Sequence, residues 1–263
     1  MTTTLPVGRS EITGVTAVRL DNVGKAFGPA GREVVALDGV DLSVAPGEFV
    51  CLLGASGCGK STLLNLVAGL DSPSAGTITL NTSRPAVMFQ EAALMPWLTA
   101  ARNVELPLRF AGFGRAERRE KATELLELVR LGGAGDKRPH ELSGGMRQRV
   151  ALARALAATL RVGGDPEQSL LLMDEPFAAL DAITRDVLQG ELLRVYRSTG
   201  TSVLFVTHDV REAVRLGQRV VLLSSRPGRV VREWADVPLV DTEELTEEIT
   251  GQLREVISTH AAA

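Results

Sequence analysis

Residues Gly54-Ala55-Ser56-Gly57-Cys58-Gly59-Lys60-Ser61-Thr62 follow the pattern G-x-x-x-x-G-K-[ST]. An apolar run of strand length, 48–53, precedes this segment, and apolar residues at helical spacing follow it. The segment therefore lies between a buried strand and the start of a helix, where free backbone N–H groups and the positive end of the helix dipole face an anion. The sequence predicts a loop that binds the phosphates of a nucleotide, in preference to an ordinary glycine-rich turn.

Each residue type in this phosphate loop has a physical reason to be there. Glycine lets the backbone curl around a phosphate without a Cβ clash. The Lys60 ammonium can reach the β- and γ-phosphates, and the Ser61 hydroxyl can bind Mg²⁺. We interpret Cys58 as a small residue tolerated in the loop rather than as a nucleophile. All nine positions from Gly54 to Thr62 are candidate nucleotide-binding residues.

Composition restricts the class of protein. The chain has 263 residues, 44% hydrophobic and 23% charged, which suits one large domain or two lobes. A net charge of −3 disfavours nucleic acid as a partner. No apolar run approaches the roughly 18–20 residues that span a bilayer, and the N-terminus lacks a secretory pattern. Two cysteines predict no disulfide framework. We expect a cytoplasmic protein whose membrane role, if it has one, needs a separate partner.

The order of patterns along the chain predicts an α/β fold. Alternating apolar residues from Val15 to Val44 predict an antiparallel β layer. Residues 91–157 have the texture of a mostly helical lobe, with Ser143 placed as the N-cap of a long helix. Apolar strands at 169–173, 202–206 and 220–223 alternate with helical segments, which is typical of a parallel sheet covered on both faces. We predict a parallel-sheet core with the β layer at its N-terminal side and the helical lobe inserted.

Polar residues stand where several predicted sheet strands end: Gln90, Asp174-Glu175 and His208. Ligands of open α/β sheets bind beyond the carboxyl ends of the strands, so these residues are expected near the bound nucleotide. Asp174 suits Mg²⁺ and Glu175 suits a general base, whereas a plain surface strand end is the weaker alternative. His208 is either a γ-phosphate contact or a loop histidine, and position alone does not decide. Phe27 is equally open between a platform for adenine and a core residue.

Together these motifs resemble the ATPase subunit of ABC transporters. The resemblance covers roughly residues 15–238 and rests on the phosphate loop, Leu142-Ser143-Gly144-Gly145-Met146-Arg147-Gln148, Leu171–Pro176, Ala179-Leu180-Asp181 and His208. The segment 142–148 is the most specific of these, since phosphate loops occur in many unrelated enzymes. The resemblance implies the RecA-like core of phosphate-loop NTPases, with ATP and Mg²⁺ as cofactors.

The resemblance also implies residue roles. Gln90 would join Ser61 and Asp174 around Mg²⁺. Glu175 would polarise the attacking water, His208 would act as a switch, and Phe27 would stack on adenine. Residues of a second subunit would complete each site in trans, in a head-to-tail homodimer: Ser143, Gly144, Gly145, Gln148 and Asp181. Residues 91–97 would receive a helix of a membrane permease, with lobe core as the alternative for Leu94, Met95 and Trp97.

Within that family, segments 94–99, 174–181, 207–213 and 225–228 look like the importer group for nitrate, sulfonates and taurine. We therefore expect a peripheral subunit on the cytoplasmic face of the membrane that works with a permease and, indirectly, a solute-binding protein. The alternatives are a non-transport ABC-type ATPase in a soluble complex and an unrelated phosphate-loop kinase or GTPase. We expect a flexible tail at 1–14, an ATPase domain at 15–240 (core 15–90 and 158–240, helical lobe 91–157) and an acidic, mildly helical tail at 241–263. The loop 159–168 is longer than usual for the group and is expected to be exposed.

Overall fold

The chain folds into two sheets and a set of helices. The computed structural model describes residues 16–29, 31–82, 85–162, 169–237 and 242–261. The elements are β1 (Val18–Phe27), β2 (Val34–Val44), β3 (Phe49–Leu53), α1 (Lys60–Val67), β4 (Ala75–Leu80), β5 (Ala86–Met88), α2 (Ala100–Phe110), α3 (Arg115–Leu128), α4 (Gly144–Thr159), β6 (Leu170–Asp174), α5 (Ala182–Thr199), β7 (Ser202–Thr207), α6 (Val210–Leu216), β8 (Arg219–Leu223), β9 (Val230–Trp234) and α7 (Thr242–Ala261). A 3₁₀ turn, Pro139–Glu141, precedes α4.

The antiparallel layer has the strand order β2-β1-β4. Val18 pairs with Val44 on one side and with Leu80 on the other, so β1 is central. This layer confirms the alternation found in the sequence, although the predicted first residue, Val15, lies outside the described residues.

The larger sheet has the order β5-β6-β7-β3-β8-β9. The first five strands in this order are parallel, and β9 runs antiparallel to β8 at one edge. The parallel core confirms the predicted α/β class. Strand β9 was not predicted, and its pairing caps one end of the sheet.

Both faces of the parallel sheet are buried, which explains why its strands are continuously apolar. Along β3, Phe49, Cys51 and Leu53 pack into a core shared with the helices, because successive side chains point to opposite faces. Val50 and Leu52 pack on the other face, with α1 and the antiparallel layer. Because the sheet is packed on both faces, the loops that follow its strands start from fixed positions at its carboxyl edge.

Helices α2, α3 and α4 lie between β5 and β6 in the chain and pack against one another. Ser143 caps α4, because its hydroxyl accepts a hydrogen bond from the N–H of Met146 at 3.2 Å, as the sequence predicted. Helix α2 was not recognised from the sequence, and it contains Pro107. The charged, amphipathic sequence from Arg115 to Arg130 predicts a helix, and α3 ends at Leu128, two residues before the end of that pattern.

The C-terminal helix α7 is attached to the core. Leu245 and Ile249 are buried on its inner face. The indole Nε1 of Trp234 donates to Glu248 at 3.1 Å, and Arg232 pairs with the same carboxylate. Residues 242–261 thus form a docked helix, a firmer structure than the mildly helical tail expected. The predicted tail at 1–14 and most of the long loop, 163–168, lie outside the described residues.

Candidate nucleotide site

The candidate site lies at the carboxyl edge of the parallel sheet, and strand register puts its parts side by side. Met88 pairs with Met173, so Gln90 and Asp174 follow neighbouring strand ends. Asp174 pairs with Val206, just before Thr207 and His208. Thr207 pairs with Leu53, the residue before the phosphate loop. The sheet order thus brings together four segments that are far apart in sequence.

The phosphate loop is tightly enclosed. Gly57 and Gly59 have φ of 76° and 107°, in the left-handed region that glycine adopts without cost. A Cβ on Gly59 would lie 2.7 Å from Leu37 Cδ2. A Cβ on Gly228 would lie 2.3 Å from the carbonyl oxygen of Cys58, and the Gly228 N–H donates to Ala36. Strand β2 and the turn before β9 therefore press directly on the loop.

Lys60 is folded back onto its own loop. Its Nζ donates to the carbonyl oxygens of Gly54 at 2.8 Å and Ala55 at 2.9 Å, and the side chain is buried. A bound phosphate must displace these two carbonyl oxygens before the Lys60 ammonium can donate to it. Cys58 is 1% exposed and its Sγ lies 3.9 Å from the same Nζ. Burial raises the pKa of the Cys58 thiol, while the Lys60 ammonium opposes the shift. The structure thus agrees with a packing role for this cysteine.

Asp174 and Ser61 form the pair that fits Mg²⁺. The Asp174 carboxylate is largely buried, and burial raises its pKa, while a hydrogen bond from the Ser61 hydroxyl lowers it. Mg²⁺ binds oxygen ligands, usually one or two carboxylates together with nucleotide phosphates. The Asp174 carboxylate and the Ser61 hydroxyl, next to the phosphate loop, provide such ligands. No cluster of three or more His, Cys, Asp or Glu side chains suited to a metal occurs among the described residues, so phosphates and water would have to supply the other ligands.

Glu175 and His208 form the polar pair of the site. Glu175 Oε2 lies 3.0 Å from His208 Nδ1. The backbone of Glu175 has φ of 45°, an uncommon value for a residue with a side chain, and its N–H is held by the carbonyl of Val206 at 3.0 Å. Strained backbone that the neighbouring strand holds in place is typical of functional positions. His208 therefore contacts Glu175, while its side chain stays largely exposed; its contact with the γ-phosphate stays a prediction.

Gln90 is exposed, and its segment is held by helix α4. The side chain of Gln148 donates to the carbonyl of Gln90 at 3.3 Å. Arg154 donates to the carbonyls of Ala92 and Ala93 at 2.8 and 2.7 Å. Helix α4 and the loop after β5 are thereby tied together.

Gln148 differs from the prediction that grouped it with the residues acting in trans. It is 4% exposed and contacts its own chain. The cause is helical periodicity: position 148 lies five residues beyond the N-cap Ser143, which turns its side chain inward. Its contact supports a link within the subunit.

Ser143, Gly144 and Asp181 lie on the surface, close to one another in the fold. Helix α4 begins next to the segment before α5, since a Cβ on Gly145 would be 3.4 Å from Leu180 Cδ2. Asp181 caps α5 by accepting from the N–H of Thr184 at 2.9 Å, and that hydrogen bond lowers the pKa of Asp181. The predicted trans residues other than Gln148 thus form one surface, which we call the signature surface: Ser143, Gly144, Gly145 and Asp181.

Phe27 and Trp97 are both exposed aromatic residues. Phe27 ends β1, is 46% exposed, and has the Lys25 ammonium 4.9 Å from its ring centroid. Trp97 is 69% exposed, whereas Leu94 packs partly buried against the helical core. Leu94 therefore agrees with the lobe-core alternative, while the permease contact of the exposed Trp97 stays a prediction. Asn103, fully buried, holds this segment through its side chain, which bonds the N–H of Met95 at 2.8 Å and three carbonyls.

Comparisons with known proteins agree with this geometry. Residues 37–178 match the ABC transporter family. The chain belongs to that family. It is 51% identical over 212 residues to the taurine import ATP-binding protein TauB of Mesorhizobium japonicum, covering 78% of this chain and 79% of that protein. It is 48% identical over 221 residues to the bicarbonate transport ATP-binding protein CmpC of a Synechocystis species, covering 80% of this chain and 32% of the relative.

Solved structures show the same fold in ABC cassettes. A dimeric structure of MJ0796, a bacterial ABC transporter cassette, aligns with a TM-score of 0.74 at 35% identity, covering 83% of this chain and 98% of that one. A second MJ0796 dimer, in a post-hydrolysis state with ADP and Pi, gives 0.73 at 34%. The predicted family, fold and activity are thus confirmed: this ABC protein is an ATPase that works in transport. Among the described residues, none of its helices has the length and apolarity needed to cross a bilayer.

Proposed function

We propose that this chain is the ATP-hydrolysing subunit of an importer for a small solute of the taurine, sulfonate or nitrate type. The observation that carries the proposal is the 51% identity over 212 residues to a taurine import ATP-binding protein. The bicarbonate transport relative keeps other small solutes within the range to be tested. The chain would lie at the cytoplasmic face of the membrane, bound to a permease that receives solute from a solute-binding protein.

In this proposal each residue of the nucleotide site has its own role in hydrolysis. Lys60 leaves the carbonyls of its loop and binds the β- and γ-phosphates, beside the loop N–H groups. Glu175 accepts a proton from the attacking water, and His208 keeps that carboxylate oriented and contacts the γ-phosphate. Ser61, Asp174 and Gln90 would hold Mg²⁺, which supplies charge neutralisation of the phosphates when bound.

A second copy of the chain would complete each site. The start of α4 presents free N–H groups on the signature surface, and such a helix terminus attracts an anion. We propose that it binds the γ-phosphate held by the opposing subunit. The dimeric MJ0796 cassettes support this arrangement. Closure of the two chains on ATP, and reopening after hydrolysis, would then drive the permease through Trp97 and the rest of segment 91–97.

The test is uptake together with co-purification. A strain lacking this chain should fail to take up radiolabelled taurine, alkanesulfonate, nitrate or bicarbonate, and the wild-type chain should restore the missing uptake while Glu175→Gln should not. The tagged chain should co-purify with a multi-spanning membrane protein. Trp97→Ala should weaken that association, and Ile257→Ala, an exposed apolar residue on α7, is the matched control. Normal uptake of all four solutes, with only soluble partners recovered, would instead support an ATPase in a soluble complex.

A further inference from the structure

A buried group of polar side chains lies directly behind His208. At its centre the Glu212 carboxylate is 7% exposed and accepts two hydrogen bonds. One comes from the Thr207 hydroxyl at 2.5 Å and the other from the Gln189 side-chain amide at 2.9 Å. The Thr207 hydroxyl in turn accepts from the backbone N–H of Asp209 at 3.0 Å. The Glu212 carboxylate therefore holds Thr207 directly, and it holds Asp209 through the Thr207 hydroxyl, on either side of His208.

The same group reaches helix α5. The amide oxygen of Gln189 accepts from Arg215 at 3.1 Å, and Arg215 also pairs with Asp186 on α5. Gln189 lies two turns along the helix that Asp181 caps, so the group connects that helix, which begins at the signature surface, to the turn after β7. Three elements are thus joined by side chains only: α5, α6 and the end of β7.

Every bond in this group has a fixed direction. A carboxylate only accepts, an arginine only donates, and the single hydroxyl proton of Thr207 is used on Glu212 because the backbone N–H of Asp209 occupies an acceptor site. Burial raises the pKa of Glu212, and the hydrogen bonds from Thr207 and Gln189 oppose that shift. Placing a carboxyl here costs desolvation that an apolar side chain would avoid, and a satisfied buried network gives rigidity and a unique geometry in return.

We propose that Glu212 and Gln189 are positioning residues that orient His208 toward Glu175 and that link its orientation to helix α5. Their effect on turnover rests on the proposed function, because it requires His208 to act in hydrolysis. Their effect on the geometry of His208 does not depend on ATP and is measured separately.

Glu212→Gln is the first variant. The new side chain has one acceptor oxygen and one amide that donates. If its oxygen faces Thr207, its amide meets the amide of Gln189, and two donors oppose each other. If it turns over, the Thr207 hydroxyl proton loses its acceptor. One bond is lost in either orientation, without a change in side-chain size.

Combining Glu212→Gln with Gln189→Glu should restore every bond. The carboxylate at position 189 accepts from Arg215 and from the new amide at position 212, whose oxygen accepts from Thr207. The charge of the group is unchanged. Glu191→Gln is the matched control, since Glu191 is a buried carboxylate on the same helix that pairs with Arg194 and lies outside this group.

The first readout is the imidazole resonances of His208 in the full-length, nucleotide-free chain. The sequence contains three histidines, so His208→Ala assigns the signal. Glu212→Gln should shift it, the double variant should return it, and Glu191→Gln should leave it in place. The second readout is ATP hydrolysis: Glu212→Gln should lower kcat about 10-fold, an effect of misplacement, while the ATP dissociation constant stays within about two-fold. The double variant should regain most of kcat.

An unmoved His208 signal in a folded Glu212→Gln protein, or a double variant no better than the single one, overturns the proposal. If Glu212→Gln does not fold, Thr207→Val and Thr207→Ser test the same bond from its other end. The valine variant should shift the His208 signal, and the serine variant, which keeps the hydroxyl, should not. A signal that moves and recovers while kcat stays constant supports the positioning role and counts instead against His208 in hydrolysis.

Discussion

Glu175 is the residue whose loss separates binding from hydrolysis. Its carboxylate faces His208, and its backbone is held in the left-handed region by β7. Glu175→Gln keeps the shape and removes the base. We expect ATP binding to persist, the ATP-bound dimer to accumulate, and turnover to fall by about 10²–10⁴, the usual contribution of a general base. Phosphate release and size-exclusion chromatography with ATP are the measurements, and an unchanged rate would exclude Glu175 from this role.

Cys58 should be a slow thiol in spite of its place in the phosphate loop. Its side chain is 1% exposed and burial raises its pKa, so less thiolate is present at pH 8 than in an ordinary cysteine. We expect alkylation by iodoacetamide to be slower than in the urea-unfolded chain by at least about 10-fold, and slower still with ATP. Because the pKa is raised, the rate should keep rising with pH beyond the range where the unfolded chain levels off.

Peptide mass spectrometry distinguishes Cys58 from the fully buried Cys51. Labelling of Cys58 in the folded chain at the rate of the unfolded chain would contradict the burial. Labelling that ATP does not slow would contradict its place in the nucleotide pocket.

The turn before α2 is held by one buried side chain, Asn103. Its amide donates to the carbonyls of Met95, Leu98 and Thr99, and its oxygen accepts from the N–H of Met95. Asn103→Asp keeps the size but leaves three carbonyls facing an acceptor. We expect the free energy of unfolding to fall by about 2–3 kcal/mol and Trp97 to become more mobile. Urea unfolding and tryptophan anisotropy in a Trp234→Phe background measure both effects.

Thr99→Ser is the control for that variant, because serine preserves the hydroxyl that caps α2. A change in stability below about 0.5 kcal/mol in Asn103→Asp would mean that the turn does not depend on this amide.

Elements with a continuous apolar run or a clear capping residue were predictable from the sequence, and the others were not. The buried strands β3, β6 and β7 are uninterrupted apolar runs, and Ser143 announces α4. Helix α2 was missed because Pro107 lies inside it, where proline usually argues against a helix. Strand β9 was missed because three of its five residues are exposed, as an edge strand permits.

The candidate site was largely predictable because its residues stand at strand ends in known motif spacings. The contacts behind it were not. Thr207 and Glu212 lie in segment 207–213, which the resemblance includes, but no spacing in the sequence indicates that Gln189 of α5 meets them. For Gln148, a motif predicted a contact with a second subunit, whereas the periodicity of α4 turns its side chain into its own chain.

At the scale of the whole molecule, the proposed composite site predicts complementation. Lys60→Ala should be inactive because it lacks the phosphate contact, and Ser143→Arg should be inactive because it blocks the signature surface. A mixture forms some dimers in which the intact phosphate loop of one chain meets the intact signature surface of the other. We expect ATPase activity to reappear in the mixture, at less than half the wild-type rate, and to depend on total protein concentration.

A mixture as inactive as its components would contradict sites shared between two chains. Mixing either variant with Lys60→Ala/Ser143→Arg, which has neither half intact, is the control and should stay inactive. A wild-type chain that hydrolyses ATP at full rate per subunit under extreme dilution would contradict the shared site as well.

The contact between Gly228 and Cys58 limits what can be learned from fragments of this protein. The turn before β9 lies so close to the phosphate loop that one added methyl group would meet a loop carbonyl. An excised peptide that spans residues 48–70 would contain every residue of the motif but would lack strand β2 and the turn before β9, which pack against the loop. We therefore expect nucleotide binding to require the folded C-terminal half, so that a nascent chain still short of residue 228 on the ribosome would have the motif but would not bind the nucleotide.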